Sequence, residues 1–360
     1  MDVEIVAGVV AHDGPDARTR EFDASGYVIS PGYVDLQVNG AKGVDLTAAP
    51  NRLWDLAAAL PGFGVTSFLP TIVTSSRATV DEALAVFAAG PPAGWRGARP
   101  VGLHLEGPMI ALERAGAHDV EHIVPPSVET IGGWARDAGV TMVTLAPELP
   151  GALAVIAELV RRDVVVAAGH TEATAEHARA AVDAGLTAVT HLFNAMAPLH
   201  HRVPGLAGAT LAGLPVTASL IADGRHLDPD MVRLAWRALG PERRILVSDA
   251  VAPLGAPSGH YVLAGRQIVF DGECARTEAG DLAGGVTGLD ACVRNVVAMT
   301  ACSAVDAVRA VTVTPARLIG RAGLGVLRPG ASGDVVVLDG DLQVVATIVA
   351  GVVVHSSTDR

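Results

Sequence analysis

Apolar residues in this chain follow two alternating patterns. Short runs dense in Val, Ile, Leu and Thr predict strands at Tyr33–Asn39, Thr66–Val73, Val101–Leu105 and Thr141–Leu145. Four more fall at Val164–Ala168, Ala188–Leu192, Val216–Ile221 and Ile245–Ser248. Amphipathic stretches at Leu53–Leu60, Val80–Ala89, Ala152–Arg161, Ala175–Ala184 and Asp230–Leu239 predict helices between most of them. The strands are apolar almost throughout, which is the pattern of a parallel sheet covered by helices. Eight such units predict a (β/α)8 barrel of the TIM type. The competing fold, a doubly wound open sheet, lacks its Gly-x-Gly-x-x-Gly turn after the first strand.

The two ends break the alternation. Residues 1–31 and 327–360 read as short strands and turns without helices, as in Asp334-Val-Val-Val-Leu and Gly351–Val354. They predict a small β-sandwich domain formed by both termini beside a barrel over 32–326. A chain of 360 residues, half of them apolar, has the material for that core.

The net charge of −12 argues against nucleic acid and against an anionic membrane surface as partners. No apolar run reaches the length of a membrane span. The start, Met1-Asp-Val-Glu, lacks the basic opening of a signal peptide. Cys274, Cys292 and Cys302 have no metal-binding spacing and are odd in number, so a reducing cytoplasm is the expected location. Lys42 is the only lysine. That excludes a Walker lysine, disfavours a Schiff base, and removes the carbamylated lysine that bridges two metals in some hydrolases.

The candidate chemistry sits where strands stop. Glu106 ends the third strand, His170 follows the fifth, His191 lies late in the sixth and Asp249 ends the eighth. Catalytic side chains of such barrels cluster at this end. Each residue alone has a plain structural reading: a single His is usually a hydrogen-bonded structural one, and Glu106 or Asp249 could cap a helix. Buried ionisable groups, however, are rarely left unpaired or without a metal, and four converge here. Two imidazoles and a carboxylate form a catalytic zinc set with one open position. Such a metal lowers the pKa of a bound water toward neutrality, giving hydroxide. Asp249 could take the proton and return it to a leaving group. His118 and His226, in loops after the third and seventh strands, could reach the same mouth. His12, His122, His177, His260 and His355 are assigned to the surface. His200-His201-Arg202 is a basic spot in an acidic chain. It is either a solvated loop or, near Asn194, a seat for an anionic group.

In order and placement these segments resemble the amidohydrolase superfamily and, within it, the N-acetylglucosamine-6-phosphate deacetylase family. The likeness rests on Pro31-Gly-Tyr-Val-Asp35-Leu-Gln37-Val-Asn39-Gly40, His104-Leu-Glu-Gly-Pro108, Gly169-His-Thr, His191-Leu-Phe-Asn-Ala-Met196, Leu199-His-His-Arg-Val-Pro-Gly205, Ser248-Asp249-Ala250 and Leu327-Arg-Pro-Gly-Ala-Ser-Gly-Asp334. It implies that Glu106, His170 and His191 hold one divalent metal per subunit, zinc first, with iron, cobalt or manganese as alternatives. It implies Asp249 as general base and then acid, and His118 as polariser of the acetamide carbonyl. Asn194, Ala195 and Arg202 would bind the sugar phosphate, with His226, Gln37 and Asn39 also on the substrate. The family implies a homodimer whose partner subunit can add phosphate contacts. Gln37 and Asn39 stand where many superfamily members carry His-x-His for a second metal, and they are poor ligands for one. Gly285 stands where the family often has Ser, a difference expected to affect packing. The expected reaction is hydrolysis of N-acetylglucosamine 6-phosphate. The alternatives are N-acetylgalactosamine 6-phosphate as substrate, another amidohydrolase reaction such as nucleobase deamination, or an inactive sugar-phosphate binder.

Overall fold

A computed structural model describes residues 3–11 and 22–357. Eight parallel strands run in chain order around a barrel: Tyr33–Val38, Val65–Val73, Leu103–Glu106, Val140–Leu145, Val165–Ala168, Ala188–Val189, Thr217–Leu220 and Arg244–Leu246. Each pairs in parallel with the next. Every predicted strand is present and the (β/α)8 architecture holds. The sixth strand is shorter than the predicted Ala188–Leu192. The His191 amide leaves the ladder for the Ser219 hydroxyl at 2.7 Å, and the His191 backbone turns to φ 31°.

Closure between the first and eighth strands uses a side chain where regular pairing would use backbone. The Ser248 amide donates to both carboxylate oxygens of Asp35 at 3.3 Å. Just above, Asn39 and Gly40 amides donate to the Ala250 carbonyl at 2.8 and 2.9 Å. The predicted helices appear at Leu53–Ala59, Arg77–Ala89, Ala152–Arg161, Ala175–Asp183 and Pro229–Leu239. Their starts follow capping chemistry: Ser76, Thr174 and Asp228 each accept an amide of the first turn. His177 is exposed, as expected, and forms a capping box with Thr174.

The helix Val313–Leu318 closes the far end of the barrel. Ala316 and Ile319 pack there with inward Val34, Leu36, Leu69, Ile245 and Val247. This apolar plug fills the end of the barrel opposite the C-terminal mouth. The chain ends meet in an antiparallel sheet of Val28–Pro31, Val335–Leu338, Val344–Val349 and Val352–Ser356, with the ribbon Ile5–Val6/Val9–Val10 beside it. Buried Asp334 ties this sheet to the barrel through an ion pair with Arg99, and Thr347 donates to the Pro61 carbonyl at 2.7 Å. His12 lies outside the described residues.

The sequence reading did not anticipate a three-stranded antiparallel lobe after the eighth strand, built from Gly259–Leu263, Arg266–Phe270 and Ala275–Thr277. Leu263, Ile268 and Ala275 pack against Val73 and Ala117, so the lobe sits over the mouth.

Candidate active site

The chain brings Glu106, His170 and His191 together at the ends of the third, fifth and sixth strands, all buried. His170 Nε2 lies 3.2 Å and His191 Nε2 2.9 Å from Glu106 Oε1. The two Nε2 atoms are 3.2 Å apart. One ligand atom from each residue falls within 4.8 Å of the others. Left-handed backbone makes this convergence possible: φ is 49° at His170, 31° at His191 and 47° at Asp249. Non-glycine residues adopt this region rarely and at a cost, and such strain concentrates at functional sites.

The donor chemistry calls for a cation. His170 Nδ1 lies 2.8 Å from the Arg114 carbonyl, which can only accept. The proton of a neutral ring is therefore on Nδ1, and Nε2 presents a bare lone pair to Glu106 and His191. A carbonyl on the outer nitrogen is also the support that metal-binding imidazoles use. Without a cation the cluster shares protons. Burial disfavours a charged Glu106, yet bonds from His170 and His191 hold its carboxyl well below the usual range. Burial opposes charge on His191 too, and the Glu106 bond and charge win, raising it.

The amidohydrolase family model matches residues 28–354. The chain belongs to the amidohydrolase family. It is 38% identical over 347 residues to the human N-acetylglucosamine-6-phosphate deacetylase, covering 91% of this chain and 84% of that one. It is also 38% identical over 347 residues to the N-acetylgalactosamine-6-phosphate deacetylase of Escherichia coli O157:H7, covering 95% and 91%. Among solved structures, it resembles an Asp-to-Ala mutant of the Mycobacterium smegmatis N-acetyl-D-glucosamine-6-phosphate deacetylase in complex with N-acetyl-D-glucosamine-6-phosphate. That likeness has a TM-score of 0.89 and 37% identity, covering 98% of this chain and 94% of that one.

Around the cluster of this amidohydrolase, Asp249 is buried and accepts from Asn39 Nδ2 at 2.8 Å. Burial, reinforced by the Glu106 charge, pushes its carboxyl up to about 6. Gln37 Nε2 donates to Glu106 Oε1 at 3.0 Å. Gln37 and Asn39, expected on the substrate, thus have their amides on the two carboxylates. His118 stacks on His170 with centroids 4.3 Å apart, its Nε2 3.8 Å from Glu106 Oε2. Burial drives its pKa down to about 3, with the His170 charge adding, so the ring is neutral. The His226 ring is held by Asp223 Oδ2 at 2.7 Å.

The outer residues are more open. Asn194 is half-buried and bonded to the His191 carbonyl at 3.2 Å, and Ala195 follows in left-handed backbone. Arg202 is exposed, its guanidinium 2.8 Å from His201 Nε2. Gly285 donates to the Asp249 carbonyl at 2.7 Å, and a Cβ there would lie 2.0 Å from the Ser248 carbonyl oxygen. This geometry therefore requires glycine.

Sequence reasoning passed over His104 and the supports. His104 is fully buried, bonding the Leu36 carbonyl at 3.1 Å and Thr144 Oγ1 at 2.7 Å; Thr144 in turn meets Thr190 at 2.7 Å. Its signal was present, since residues two apart on a strand share a face and Glu106 faces inward. Asp223 also had a signal, since its partner His226 is three residues away in the same loop. Arg114 and Thr74 carried none, because each acts on its histidine through a backbone atom.

Proposed function

We propose that this amidohydrolase hydrolyses the acetamide of N-acetylglucosamine 6-phosphate to glucosamine 6-phosphate and acetate. The observation that carries this is the buried Glu106–His170–His191 cluster beside Asp249, in a chain similar along its length to sugar-phosphate deacetylases. Glu106, His170 and His191 would hold one divalent ion, with zinc favoured and iron, cobalt or manganese compatible with the same donors. When bound, such an ion supplies Lewis acidity and an acidified water.

The chain's own residues do the rest. Asp249 accepts the proton of the attacking water as the oxygen adds to the acetamide carbonyl. Neutral His118 donates to the oxygen that gains charge. As the carbon–nitrogen bond breaks, Asp249 returns its proton to the departing amine, and acetate remains. Asn39 holds Asp249 in place through this exchange. His226, Asn194, Ala195 and Arg202 bind the sugar and its phosphate. A guanidinium suits phosphate because its donors are paired and permanently charged. The exposed Leu199 and Val203 that flank this basic stretch support a homodimer contact there. The free thiols of Cys274, Cys292 and Cys302 support a reducing cytoplasm as the enzyme's location. Among the described residues no helix is long and apolar enough to cross a membrane.

Acetate release from N-acetylglucosamine 6-phosphate, with chelator and with added zinc, tests the reading. Metal-dependent release is expected; no release from folded, metal-loaded protein would overturn it. The galacto epimer is the second reading, favoured by the 38% identity to the Escherichia coli enzyme. A higher kcat/KM for that epimer would establish it.

A further inference from the structure

We infer that Thr74 is a positioning residue that fixes the tautomer of His118, so that the ring's single proton sits on Nε2 and faces the reaction centre. Thr74 follows the second barrel strand and is 2% exposed. Its backbone amide points at His118 Nδ1 at 3.4 Å, and its hydroxyl lies 2.8 Å from the same nitrogen. An amide N–H only donates, so Nδ1 must offer a lone pair. The hydroxyl then also donates to Nδ1, because two lone pairs 2.8 Å apart would repel. The Glu106 carbonyl, which can only accept, competes for that one proton from the longer distance of 3.3 Å. With Nδ1 as double acceptor, a neutral ring carries its proton on Nε2. That atom lies 3.8 Å from Glu106 Oε2, on the side of the cluster.

The backbone that carries the His118 ring is held from both sides. Its main-chain carbonyl accepts from Arg266 Nη1 of the three-stranded lobe at 2.8 Å, and its amide donates to the Ala115 carbonyl at 3.0 Å. The neighbouring Val73 amide is tied to Thr47 Oγ1 at 3.1 Å, which keeps Thr74 in register. His118 and His170 therefore have opposite tautomers. Arg114 holds the proton of His170 on Nδ1 and frees Nε2 for a metal, while Thr74 does the reverse for His118. One ring is prepared as a ligand and its neighbour as a donor. The tautomer assignment stands on geometry alone; the use of Nε2–H to polarise the acetamide rests on the function proposed above.

Two measurements on the full metal-loaded chain test it. In protein labelled with 15N at histidine, with His118 assigned by the resonance lost in His118→Asn, Nδ1 is expected to show the unprotonated shift and Nε2 the protonated one. A protonated Nδ1 would overturn the inference. Thr74→Val removes the hydroxyl at similar volume. It is expected to lower kcat by roughly 10–100-fold, the scale for losing a supporting partner. Metal content and KM should stay near wild type. Nδ1 then keeps only the long amide contact at 3.4 Å, too weak to hold one tautomer by itself, so the His118 signals should shift toward a mixture, and Thr74→Ser should restore both activity and spectrum. Unchanged kcat in Thr74→Val with an unchanged spectrum would refute the role. If Thr74→Val does not fold, the wild-type spectrum and Thr74→Ser still decide. Failure of the wild-type protein to release acetate would overturn the proposed function and leave the tautomer readout intact.

Discussion

Asp35 offers a quantitative test of how the barrel is closed. Its carboxylate is 1% exposed at the seam between the first and eighth strands. It accepts from the Ser248 amide at 3.3 Å on both oxygens and from the Gln37 amide at 3.2 Å. Burial pushes its pKa from 3.8 up to about 7; bonds from Ser248 and Gln37 oppose the rise and the Asp249 charge adds to it. A raised carboxyl pKa means that the folded state holds this proton more tightly than the unfolded chain does. The stabilisation is complete below the unfolded value and is lost as pH rises through the folded one. At ~1.4 kcal/mol per unit the whole window amounts to about 4 kcal/mol, of which about 2.5 kcal/mol falls between about pH 5 and about pH 8. Asp45 and Asp249, pushed up to about 6 chiefly by burial, add slopes of their own. The clean comparison is therefore with Asp35→Asn, which keeps an acceptor oxygen and does not titrate. Urea unfolding of both proteins in chelator measures the difference. The stability of wild type relative to the variant should fall by about 2.5 kcal/mol from about pH 5 to about pH 8. Parallel pH profiles would refute the assigned pKa and with it the buried-carboxylate account of the seam.

Four further outcomes follow from the site. Asp249→Asn should abolish turnover while metal content stays at that of wild type; retained turnover would remove Asp249 from the mechanism. Glu106→Gln should weaken metal binding by more than about 100-fold, the upper figure for losing only a supporting partner, as read by chelator competition. Arg202→Ala should raise KM for the sugar phosphate by about 10–100-fold with kcat little changed, from ~1.5–3 kcal/mol for bonds to a charged group. An unchanged KM would move the phosphate site elsewhere. Because Asp249 must be ionised to act as a base and sits at about 6, kcat/KM should fall as pH drops through about 6 or lower, since a bound cation depresses that value further. An acidic limb centred above about pH 7 would count against it.

The barrel was legible because its strands are apolar on both faces and three of its predicted helices begin at the capping side chains Ser76, Thr174 and Asp228. The candidate site was legible because Glu106, His170, His191 and Asp249 each stand where an apolar run stops. What stayed hidden has local physical causes. The lobe at Gly259–Thr277 carries its signal in Ala264-Gly265, where φ of 51° and 84° makes a tight hairpin turn. Its flanking strands are too polar and exposed to stand out as core. The sixth strand was overread because Thr190 and Leu192 suit a strand, while the bond that ends it comes from Ser219, 28 positions from His191. Supports such as the Arg114 carbonyl and the Thr74 amide are backbone atoms, which every residue owns, so no residue type announces them.

The strain at the mouth and these hidden supports are two sides of one arrangement. A regular strand would carry His170, His191 and Asp249 along the barrel wall, each on its own axis. Turning each backbone into the left-handed region aims the three side chains at a common point, at ~1–3 kcal/mol per residue. Each turned residue is then held by an element far away in the chain. The His170 carbonyl accepts from Ala111 at 2.9 Å, the His191 amide donates to Ser219 at 2.7 Å, and the Asp249 carbonyl accepts from Gly285 at 2.7 Å. The glycine at 285 belongs to this logic, since any Cβ would displace the Ser248 carbonyl and with it the end of the strand that carries Asp249. The site is therefore specified twice: by ligand types at strand ends, which a sequence displays, and by distant bonds that offset local strain, which only the folded chain reveals.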